Sequence, residues 1–372
     1  MLRGLGFAAG WLALCLFAHA AAALDLTRLQ MPPGFQISIY AENLPDARQM
    51  AIGSQGTLFV GSREAGRVYA AVDADHNGVA ERVGLIAERL TMPSGIAFRG
   101  GALYVAAVDR VLRYADIETH LVPPPVPEQV LGGLPSASHH GWKFIAFGPD
   151  GALNVPIGAP CNICAPKFPF ASILRISLAS GQATGYALGV RNSVGFDWHP
   201  ESGELWFGDN GRDMLGDDQP ADELNRVTRA GEHFGYPFVH GGALLDPEFG
   251  AGHRVHEYSP PAIKLGAHVA PVGLAFYRGK MFPAAYRNAL LVAEHGSWNR
   301  SHKSGYRVMV ATIGANGEVA NYAPFITGWL EGEESWGRPV AFATLADGSL
   351  LISDDQAGVV YRVTYREPGT AH

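Results

Sequence analysis

The stretch MAIGSQGTLFVGSREAGRVYAAV, residues 50–72, contains the sequence unit from which the fold can be predicted. A short apolar segment leads into a turn with glycine, a second apolar segment follows, and a third contains an Arg-Val step. Short segments rich in Val, Leu, Phe and Tyr between turn residues are typical of β-strands. The stretch therefore predicts three consecutive strands joined by short turns.

The same sequence unit occurs five more times along the chain. The further copies begin at Pro93, Lys143, Ser193, Pro271 and Pro339. A strand-rich unit that repeats at or above 40 to 50 residues is typical of β-propellers, in which sheets pack around a central channel. The six copies predict an all-β, six-bladed β-propeller. We favour it over a β-sandwich, because a sandwich does not need this repetition.

Segments outside the repeats predict how the ring closes and where a site lies. The alternating segment FQISIYAENL, residues 35–44, precedes the first copy and can add a strand to the last blade, which would close the ring. Longer insertions at residues 161–170, 212–222 and 297–304 interrupt blades between strands. Loops on a rigid scaffold are where sites are expected.

The N-terminal residues predict an exported protein. Residues 1–23 combine a basic start, an apolar run and small residues, as a secretory signal peptide does. We expect residues 24–372 to form a single propeller domain that is periplasmic or secreted. No other stretch approaches the roughly 20 apolar residues of a membrane-spanning helix.

The net charge bears on the kind of binding partner, and the cysteines bear on the redox state of the protein. The formal net charge is −7 and no basic block is present, which argues against a nucleic-acid partner. Cys161 and Cys164 are the cysteines that remain beyond the leader. In an oxidising compartment their CxxC spacing predicts a local disulfide.

An acidic, glycine-rich stretch, residues 204–237, points to a bound cation. It contains a short predicted strand, residues 204–207, followed by a loop in ELWFGDNGRDMLGDDQPADELNRVTRAGEHFGYP. Carboxylate and carbonyl oxygens suit calcium. Together with the preceding GVRNSVGFDWHP, residues 189–200, it resembles the soluble pyrroloquinoline quinone (PQQ) dependent sugar dehydrogenases, in particular their sorbosone dehydrogenase branch.

This resemblance implies an activity and its cofactors. A family member would oxidise a sugar or sugar aldehyde by hydride transfer to PQQ, with Ca²⁺ polarising the quinone. A separate electron acceptor, such as a cytochrome, would follow, since the chain has no CxxCH haem motif. NAD is not expected, because no strand, glycine-rich turn and helix unit is present.

The resemblance also assigns roles to particular residues. His140 in SASHHGWKFIAFGPDG occupies the place of the general base, with His139 as its competitor, and the rate should decline as the pH falls through the imidazole pKa near 6.5. Arg191 and Asn192 match an Arg-Asn pair that binds the quinone's carboxylate and oxygen. In the calcium segment Asn210 matches a polar side chain, and Gly211 and Arg212 match two main-chain carbonyls that bind the metal. Asp222 and Glu223 match an acidic pair that holds this loop from behind.

Further matches lie in the last two blades. His268 stands where the family has a hydroxyl residue near the cofactor. Arg300 and Lys303 both lie where a lysine meets the cofactor's acidic end, and Arg338 matches a last-blade arginine. Trp336, where a second arginine is expected, could stack on a ring or pack within the propeller.

A second acidic turn, DADHNGVAE at residues 73–81, has the Asp-x-Asp-x-Asn-Gly start of a calcium loop. Asp73, Asp75 and Asn77 would supply the ligands, although the glutamate of a full EF-hand is missing from the last position. A plain blade loop is the alternative interpretation.

Two other classes of protein share the predicted fold. A six-bladed calcium lactonase would hold its metal through side-chain Glu, Asn and Asp and would not need the Arg and Lys residues. A non-enzymatic binding propeller needs neither metal nor cations.

Overall fold

A computed structural model describes residues 24–369, and the predicted signal peptide over residues 1–23 lies outside them. The described chain forms six sheets of four or five strands and two two-stranded hairpins, and neighbouring strands in the six sheets are antiparallel apart from one short parallel pair. Each of the six sequence copies supplies the innermost strands of one sheet. The prediction of an all-β, six-bladed propeller is therefore confirmed.

The strands are numbered in chain order. The first is β1 (Phe35–Ala41). Blade 1 contains β2 (Ala47–Ile52), β3 (Leu58–Ser62), β4 (Val68–Val72) and β5 (Arg82–Ala87). Blade 2 contains β6 (Gly95–Arg99), β7 (Ala102–Ala106), β8 (Val111–Tyr114) and β9 (Glu128–Leu131). Blade 3 contains β10 (Ala146–Phe147), β11 (Leu153–Ile157), β12 (Ser172–Ile176) and β13 (Ala183–Leu188).

The second half of the chain is less regular. Blade 4 contains β14 (Phe196–Trp198), β15 (Leu205–Asp209), β16 (Ala221–Val227) and, after a long excursion, β20 (Ile263–Ala267). The excursion contains β17 (Glu232–His233), β18 (Val239–His240) and β19 (Leu244–Leu245). Blade 5 contains β21 (Pro271–Phe276), β22 (Leu290–Glu294), β23 (Arg307–Ile313) and β24 (Val319–Ile326). A hairpin of β25 (Leu330–Glu331) and β26 (Glu334–Ser335) precedes blade 6, which contains β27 (Pro339–Thr344), β28 (Leu350–Asp354) and β29 (Val359–Tyr365).

Helical structure is limited to four short 3-10 helices among residues 24–369: Leu26–Arg28, Ile117–Thr119, Val255–Glu257 and Ala284–Tyr286. Within this described range, no helix has the length and apolar character that a membrane crossing requires.

The N-terminal strand closes the ring as predicted. β1 pairs with β29 in antiparallel register, from Phe35 opposite Tyr365 to Ala41 opposite Val360. This pairing gives the last blade its fourth strand and covers the backbone edge of β29. Phe35 also packs edge-on against Phe282 and Phe325, with ring centroids 4.8 and 4.9 Å away.

Strand polarity sorts the loops onto two ends of the propeller. Loops that follow the second strand of a blade, and those that lead into the first strand of the next, share what we call the insertion end. The three predicted insertions lie in its loops 158–171, 210–220 and 295–306. The turns between first and second strands lie at the opposite end.

The second strand of each blade is buried along nearly its whole length, because a neighbouring blade covers each of its faces. Nearer the axis, Val194, Val272, Val340 and Ala341 form an apolar cluster where the innermost strands begin. Trp142 and Ala270 pack against this cluster from the insertion end. Burying such side chains contributes about 1.5 to 3 kcal/mol for each large one. The cluster forms the floor of the site.

Candidate active site in the central channel

A cavity of about 360 Å³ opens on the axis at the insertion end. This volume lies within the range of small-molecule sites. Eight residues that the sequence singled out line it: His140, Arg191, Asn192, Asn210, Gly211, Asp222, His268 and Arg338. They come from loops far apart in sequence, and the propeller brings them together.

The chain reaches the cavity from recurring positions in the blades. Arg63, Asn210 and His295 each follow directly on the last residue of a second strand, β3, β15 and β22. Arg191 and Arg338 lie in the loops that lead into first strands. The geometry of the repeat therefore decides which side chains face the axis.

His140 has a defined tautomer and a free nitrogen. Its Nδ1–H donates to the carbonyl oxygen of Ala159 at 2.9 Å, which leaves Nε2 as the acceptor. A Cβ on Gly158 would lie 2.6 Å from the Cβ of His140, so only glycine permits this approach. Burial, reinforced by the charge of Arg191, lowers the pKa of His140 to about 2. The competitor His139 is exposed.

Arg191 lines the cavity, but its guanidinium binds other parts of the chain. Nε donates to the carbonyl of Asn162 at 2.9 Å and NH1 to that of Asn210 at 3.1 Å. NH2 donates to Oδ1 of Asn162 at 2.8 Å and to Oδ2 of Asp213 at 3.0 Å. Arg191 thus joins the 158–171 and 210–220 loops at the rim, a role that the sequence did not predict.

The disulfide between Cys161 and Cys164 is present, as predicted. It lies in the same loop as Asn162, the partner of Arg191. The hydroxyl of Tyr236, from the blade 4 excursion, accepts the backbone N–H of Cys164 at 3.0 Å and lies 3.4 Å from Sγ of Cys161. The disulfide therefore braces a loop that is also held from blade 4.

Buried carboxylates fix the calcium-like segment from behind. Asp209, the last residue of β15 and not a loop residue as expected, accepts the N–H groups of Arg191 at 2.8 Å and Asn192 at 2.6 Å. Asp222 accepts those of Gly211 at 2.7 Å and Ala270 at 2.8 Å. Burial raises the pKa of Asp222 to about 6. Asp222 holds the segment through its amides, the supporting role expected of it.

Glu223 completes this acidic group. It pairs with Asp209 across β15 and β16, and it accepts the N–H of Gly241 at 2.7 Å. Burial raises the pKa of both carboxyls, and for Glu223 the charge of Asp209 adds to the effect. The pair therefore favours a protonated form, which relieves the repulsion between them.

Several predicted residues lie outside the cavity lining. The guanidinium of Arg212 turns away to Asp246 at 2.5 Å and to Glu248 at 3.1 Å. Its metal role was assigned to the main-chain carbonyl, and among the described residues no group donates to the carbonyl of Gly211 or Arg212. That assignment remains a prediction.

The two candidates for the cofactor's acidic end are held elsewhere. Arg300 binds the carbonyl oxygens of Asp217 and Ala267, and Nζ of Lys303 donates to the carbonyl of Glu333 at 2.6 Å. Neither residue lines the cavity, and the expectation that one of them meets the cofactor remains a prediction. Both side chains instead fasten the 295–306 loop to its neighbours.

His268 and Trp336 each have a ring nitrogen close to a backbone carbonyl oxygen. Nε2 of His268 lies 2.9 Å from the carbonyl oxygen of Gly216, and the ring lines the cavity. Nε1 of Trp336 donates to the carbonyl of Gly328 at 2.7 Å, and its ring packs near Trp329. Trp336 is therefore a packed aromatic, the structural alternative considered for it.

Other polar and aromatic lining residues were given no role in the sequence reasoning: Arg48, Arg63, Trp142, His295, Trp298 and Asn299. Arg63 and Trp142 stack, with the guanidinium carbon 4.4 Å from the ring centroid. A comparison of equivalent positions in the six copies would have found Arg63 and His295, because both follow a second strand.

Unpaired buried polar atoms show what the cavity can hold. Nε of Arg48, Nε of Arg63 and Nε1 of Trp142 are buried donors without partners in the described chain. Oδ1 of Asn192 and Oδ1 of Asn299 are buried acceptors in the same condition. Such groups are costly unless a ligand pairs with them. An anionic ligand fits the donors, and a cation with oxygen ligands fits Asn192 and the free carbonyl of Gly211, so the residues present fit PQQ and calcium.

The Asp73 turn lies at the opposite end, between β4 and β5. Carboxylate oxygens of Asp73, Asp75 and Glu81 lie within 4.8 Å of one another. Asn77 is bound to Asp75 through its side chain at 3.0 Å. The sequence prediction of a calcium loop here gains Glu81 as a neighbour, and its occupancy remains a prediction.

Comparisons with known proteins support the six-bladed propeller fold and relate parts of the chain to two family models. The model of the Glucose / Sorbosone dehydrogenase family matches residues 176–297, and a TrAA12-like model matches residues 252–366. The match to the Glucose / Sorbosone dehydrogenase model covers about a third of the chain and agrees with the resemblance read from the sequence.

Three relatives illustrate the similarity. An uncharacterized protein of Borreliella burgdorferi is 35% identical over 370 residues, 93% of each chain. The PQQ-dependent pyranose dehydrogenase of Coprinopsis cinerea is 32% identical over 120 residues, 27% of this chain and 16% of that protein. The holo PQQ domain of the Coprinopsis enzyme superposes with a TM-score of 0.75 at 19% identity, covering 90% of this chain and 97% of that one. A Trichoderma reesei family AA12 protein in a calcium structure gives 0.79 at 18% identity, covering 91% and 97%.

Proposed function

We propose that the protein is a PQQ- and calcium-dependent dehydrogenase that oxidises a sugar or a sugar aldehyde, of the aldose or sorbosone type. The observation that carries the proposal is the set of unpaired donors of Arg48, Arg63 and Trp142, which face one cavity together with imidazoles. A binding propeller would not need these buried donor atoms, since buried donors without partners lower stability unless a ligand pairs with them.

When bound, PQQ supplies a two-electron acceptor and calcium polarises its carbonyl. In this proposal Arg48, Arg63 and Arg338 bind the carboxylates of the cofactor, because arginine forms charge-assisted hydrogen bonds with carboxylates. Asn192 and the carbonyl of Gly211 provide oxygen ligands of the kind calcium prefers. Asn210, Arg212 and His268 remain nearby candidates from the sequence.

The substrate would enter from the insertion end. The exposed indole of Trp298 lines the mouth, with 71% of its surface accessible, and offers a flat apolar face for a sugar ring. A cavity imidazole then accepts the proton of the substrate hydroxyl. His140 satisfies the requirement of a free nitrogen, Nε2, that faces the cavity.

One observation weighs against the lactonase. Within residues 24–369, the only set of three acidic or histidine ligands close enough to share a metal is that of Asp73, Asp75 and Glu81, at the opposite end. The cavity itself offers carbonyl and amide oxygens with several cations. We further propose that the protein is exported to the periplasm or secreted, and that a separate acceptor reoxidises the cofactor.

The test is a titration of the protein with PQQ and Ca²⁺ followed by absorbance, and then by reduction of an artificial dye upon addition of aldoses or sorbosone. We expect saturable, calcium-dependent binding and sugar-dependent turnover. A chelator should abolish turnover. Hydrolysis of sugar lactones without PQQ would favour the lactonase, and absence of PQQ binding and of both activities would favour the binding propeller.

The pH dependence sharpens this test and corrects the expectation of a decline near pH 6.5. Burial lowers the pKa of His140 to about 2 and that of His295 to about 4, so both rings stay neutral at pH 6. A lowered pKa means that the accepting form is lost only at more acidic pH. We expect kcat/KM to hold between pH 7 and pH 5.5, with no imidazole titration there. A half-maximal loss near pH 6.5 would show an exposed imidazole as the base.

A further inference from the structure

The side chain of Asn162, inside the disulfide loop, pairs with the main chain of the 210–220 loop. Its Oδ1 accepts the N–H of Asp213 at 2.8 Å, and its Nδ2 donates to the carbonyl oxygen of the same residue at 3.1 Å. One amide side chain thus binds both backbone groups of Asp213, much as a paired strand does. The position of Asp213 therefore depends directly on Asn162.

Asn162 also holds the other side of the calcium-like segment, through Arg191. Its Oδ1 accepts NH2 of Arg191 at 2.8 Å, and its carbonyl oxygen accepts Nε at 2.9 Å. NH1 of Arg191 donates in turn to the carbonyl oxygen of Asn210 at 3.1 Å. The N–H of the same peptide group, that of Gly211, donates to Asp222 at 2.7 Å. Because the C=O and N–H of this trans peptide point in opposite directions, the group is fixed between a cation and a carboxylate.

The two residues matched to the metal carbonyls, Gly211 and Arg212, lie between these two fixed points. Asn210 is held through Arg191, Asp213 is held directly, and both contacts lead back to Asn162. Calcium needs several oxygen atoms at about 2.3 to 2.6 Å. Oxygen ligands that are already in place cost less ordering when the ion binds. The affinity of the segment for a cation therefore depends on how firmly Asn162 is held.

The disulfide holds Asn162. Cys161 and Cys164 close a ring of four residues that includes Asn162 and Ile163. The hydroxyl of Tyr236 accepts the N–H of Cys164 at 3.0 Å, and Ile163 packs against the apolar cluster that contains Tyr236. Opening the ring would return conformational freedom to this loop, and ordering it again would cost free energy. Both cysteines are partly exposed, so a small reductant can reach them.

We propose that Asn162 and the disulfide around it are positioning elements of the cation site, so that reduction of the disulfide weakens calcium binding while the propeller stays folded. This inference rests on the proposed function. In the reduction a dithiol gives two electrons and two protons to Cys161 and Cys164, the S–S bond breaks, two thiols form, and the dithiol leaves as a cyclic disulfide. An oxidising compartment keeps the site in its tighter form.

The first experiment measures the calcium dependence of PQQ binding by absorbance, which reports the cation beside the cofactor. We expect Asn162→Ala to raise the calcium concentration at half saturation roughly tenfold, within the usual range for coupling between two sites. This variant retains the disulfide, so it tests the contact independently of the cysteines. Lys167→Ala, which alters an exposed side chain of the same loop, is the control and should leave the calcium dependence unchanged.

The second experiment tests the disulfide itself. Wild type treated with dithiothreitol should need more calcium, in the same direction as Asn162→Ala, and should recover on reoxidation. The double variant Cys161→Ser, Cys164→Ser should resemble the reduced protein and no longer respond to the reductant. At saturating calcium the KM for sugar should stay within about twofold of wild type in every case, because the cation ligands and not the sugar contacts are affected.

Amide hydrogen exchange in cofactor-free protein gives a readout that needs no PQQ. The N–H groups of Gly211 and Asp213, bound to Asp222 and Asn162, should exchange faster in Asn162→Ala and in the reduced protein, while β15 keeps its wild-type rates. Unchanged exchange of both amides, or a calcium dependence that the reductant does not alter, would overturn the inference and leave the proposed function standing. A wild-type protein that binds no PQQ at any calcium concentration would overturn both.

Discussion

The two ends of the propeller differ in what their cavities contain. The cavity at the opposite end has the larger volume, about 710 Å³, compared with about 360 Å³ for the cavity at the insertion end. The wide mouth is lined by innermost strands and short turns, and its arginine, Arg278, is already paired with Asp197 at 2.6 Å. The smaller cavity contains the unpaired donor atoms of Arg48, Arg63 and Trp142, and it is lined by His140, whose Nδ1 is the ring nitrogen bound to the chain.

Cavity volume alone therefore does not identify the functional site of this propeller. The apolar cluster of Val194, Val272, Val340 and Ala341 lies between the two cavities and keeps them separate. Buried polar groups without partners lower the stability of the fold, and a ligand that pairs with them removes this cost. The ends can therefore be told apart by matched substitutions.

The largest effect is expected on stability at Arg191. Replacing it by Ala removes four hydrogen bonds and breaks the ion pair with the largely buried Asp213, which should lower the free energy of unfolding by about 3 to 5 kcal/mol. The matched control is Arg175→Ala at the opposite end, whose exposed pair with Asp150 contributes about 0 to 1 kcal/mol. Urea unfolding measures both. Equal losses would show that the insertion end is not held by Arg191.

The next effect concerns cofactor affinity. Arg63→Gln should weaken PQQ binding by about ten- to a hundredfold, because it removes a charge-assisted hydrogen bond of roughly 1.5 to 3 kcal/mol. Lys280→Gln, at the opposite mouth, is the control and should change nothing. PQQ titration followed by absorbance gives both constants. Weaker binding in the Lys280 variant would move the cofactor to the other end.

A smaller effect is expected on the substrate. Trp298→Ala should raise KM about two- to tenfold, the worth of an aromatic contact of roughly 0.5 to 1.5 kcal/mol, while PQQ affinity stays unchanged. Phe168→Ala is the control, since Phe168 is 61% exposed in another insertion loop but does not line the cavity. Steady-state kinetics with one sugar decide the matter, and an equal KM for wild type and the Trp298 variant would exclude the stacking contact.

The smallest effect on activity is expected at the Asp73 turn. Asp75→Asn should remove one calcium-binding event in calorimetric titration and leave sugar oxidation as in wild type, because the turn lies away from the cavity. Identical calcium stoichiometry in the variant and wild type would mean that this turn is a plain blade loop.

The sequence predicted the fold well because the same sequence unit occurs in each of the six blades. The six copies, the closing segment at residues 35–44 and the three insertions all describe local pattern, and the structure follows them. Local pattern also led to the loop around Asn210 and Gly211. These features depend on neighbours in the chain.

The parts of the site that escaped prediction depend on distant neighbours. Arg48 and Asp355 meet although 307 positions separate them by number, and no local pattern marks either residue. Arg191 was expected to meet a carboxylate of the cofactor, but Asn162, Asn210 and Asp213 occupy its guanidinium. Lys303 was expected near the same ligand and binds Glu333. Which partner a long cationic side chain selects is decided by tertiary packing.

The closing pair of β1 and β29 has a consequence for how the molecule is made. Phe35 and Tyr365 are paired in register, so one of the first strands to be synthesised must wait for the last one before its edge is satisfied. Contacts of such sequence separation form slowly, and an unpaired strand edge is open to other chains until then. A nascent chain that stops before residue 359 would leave both β1 and the sixth blade with exposed edges, so each unfinished copy is a potential seed for aggregation.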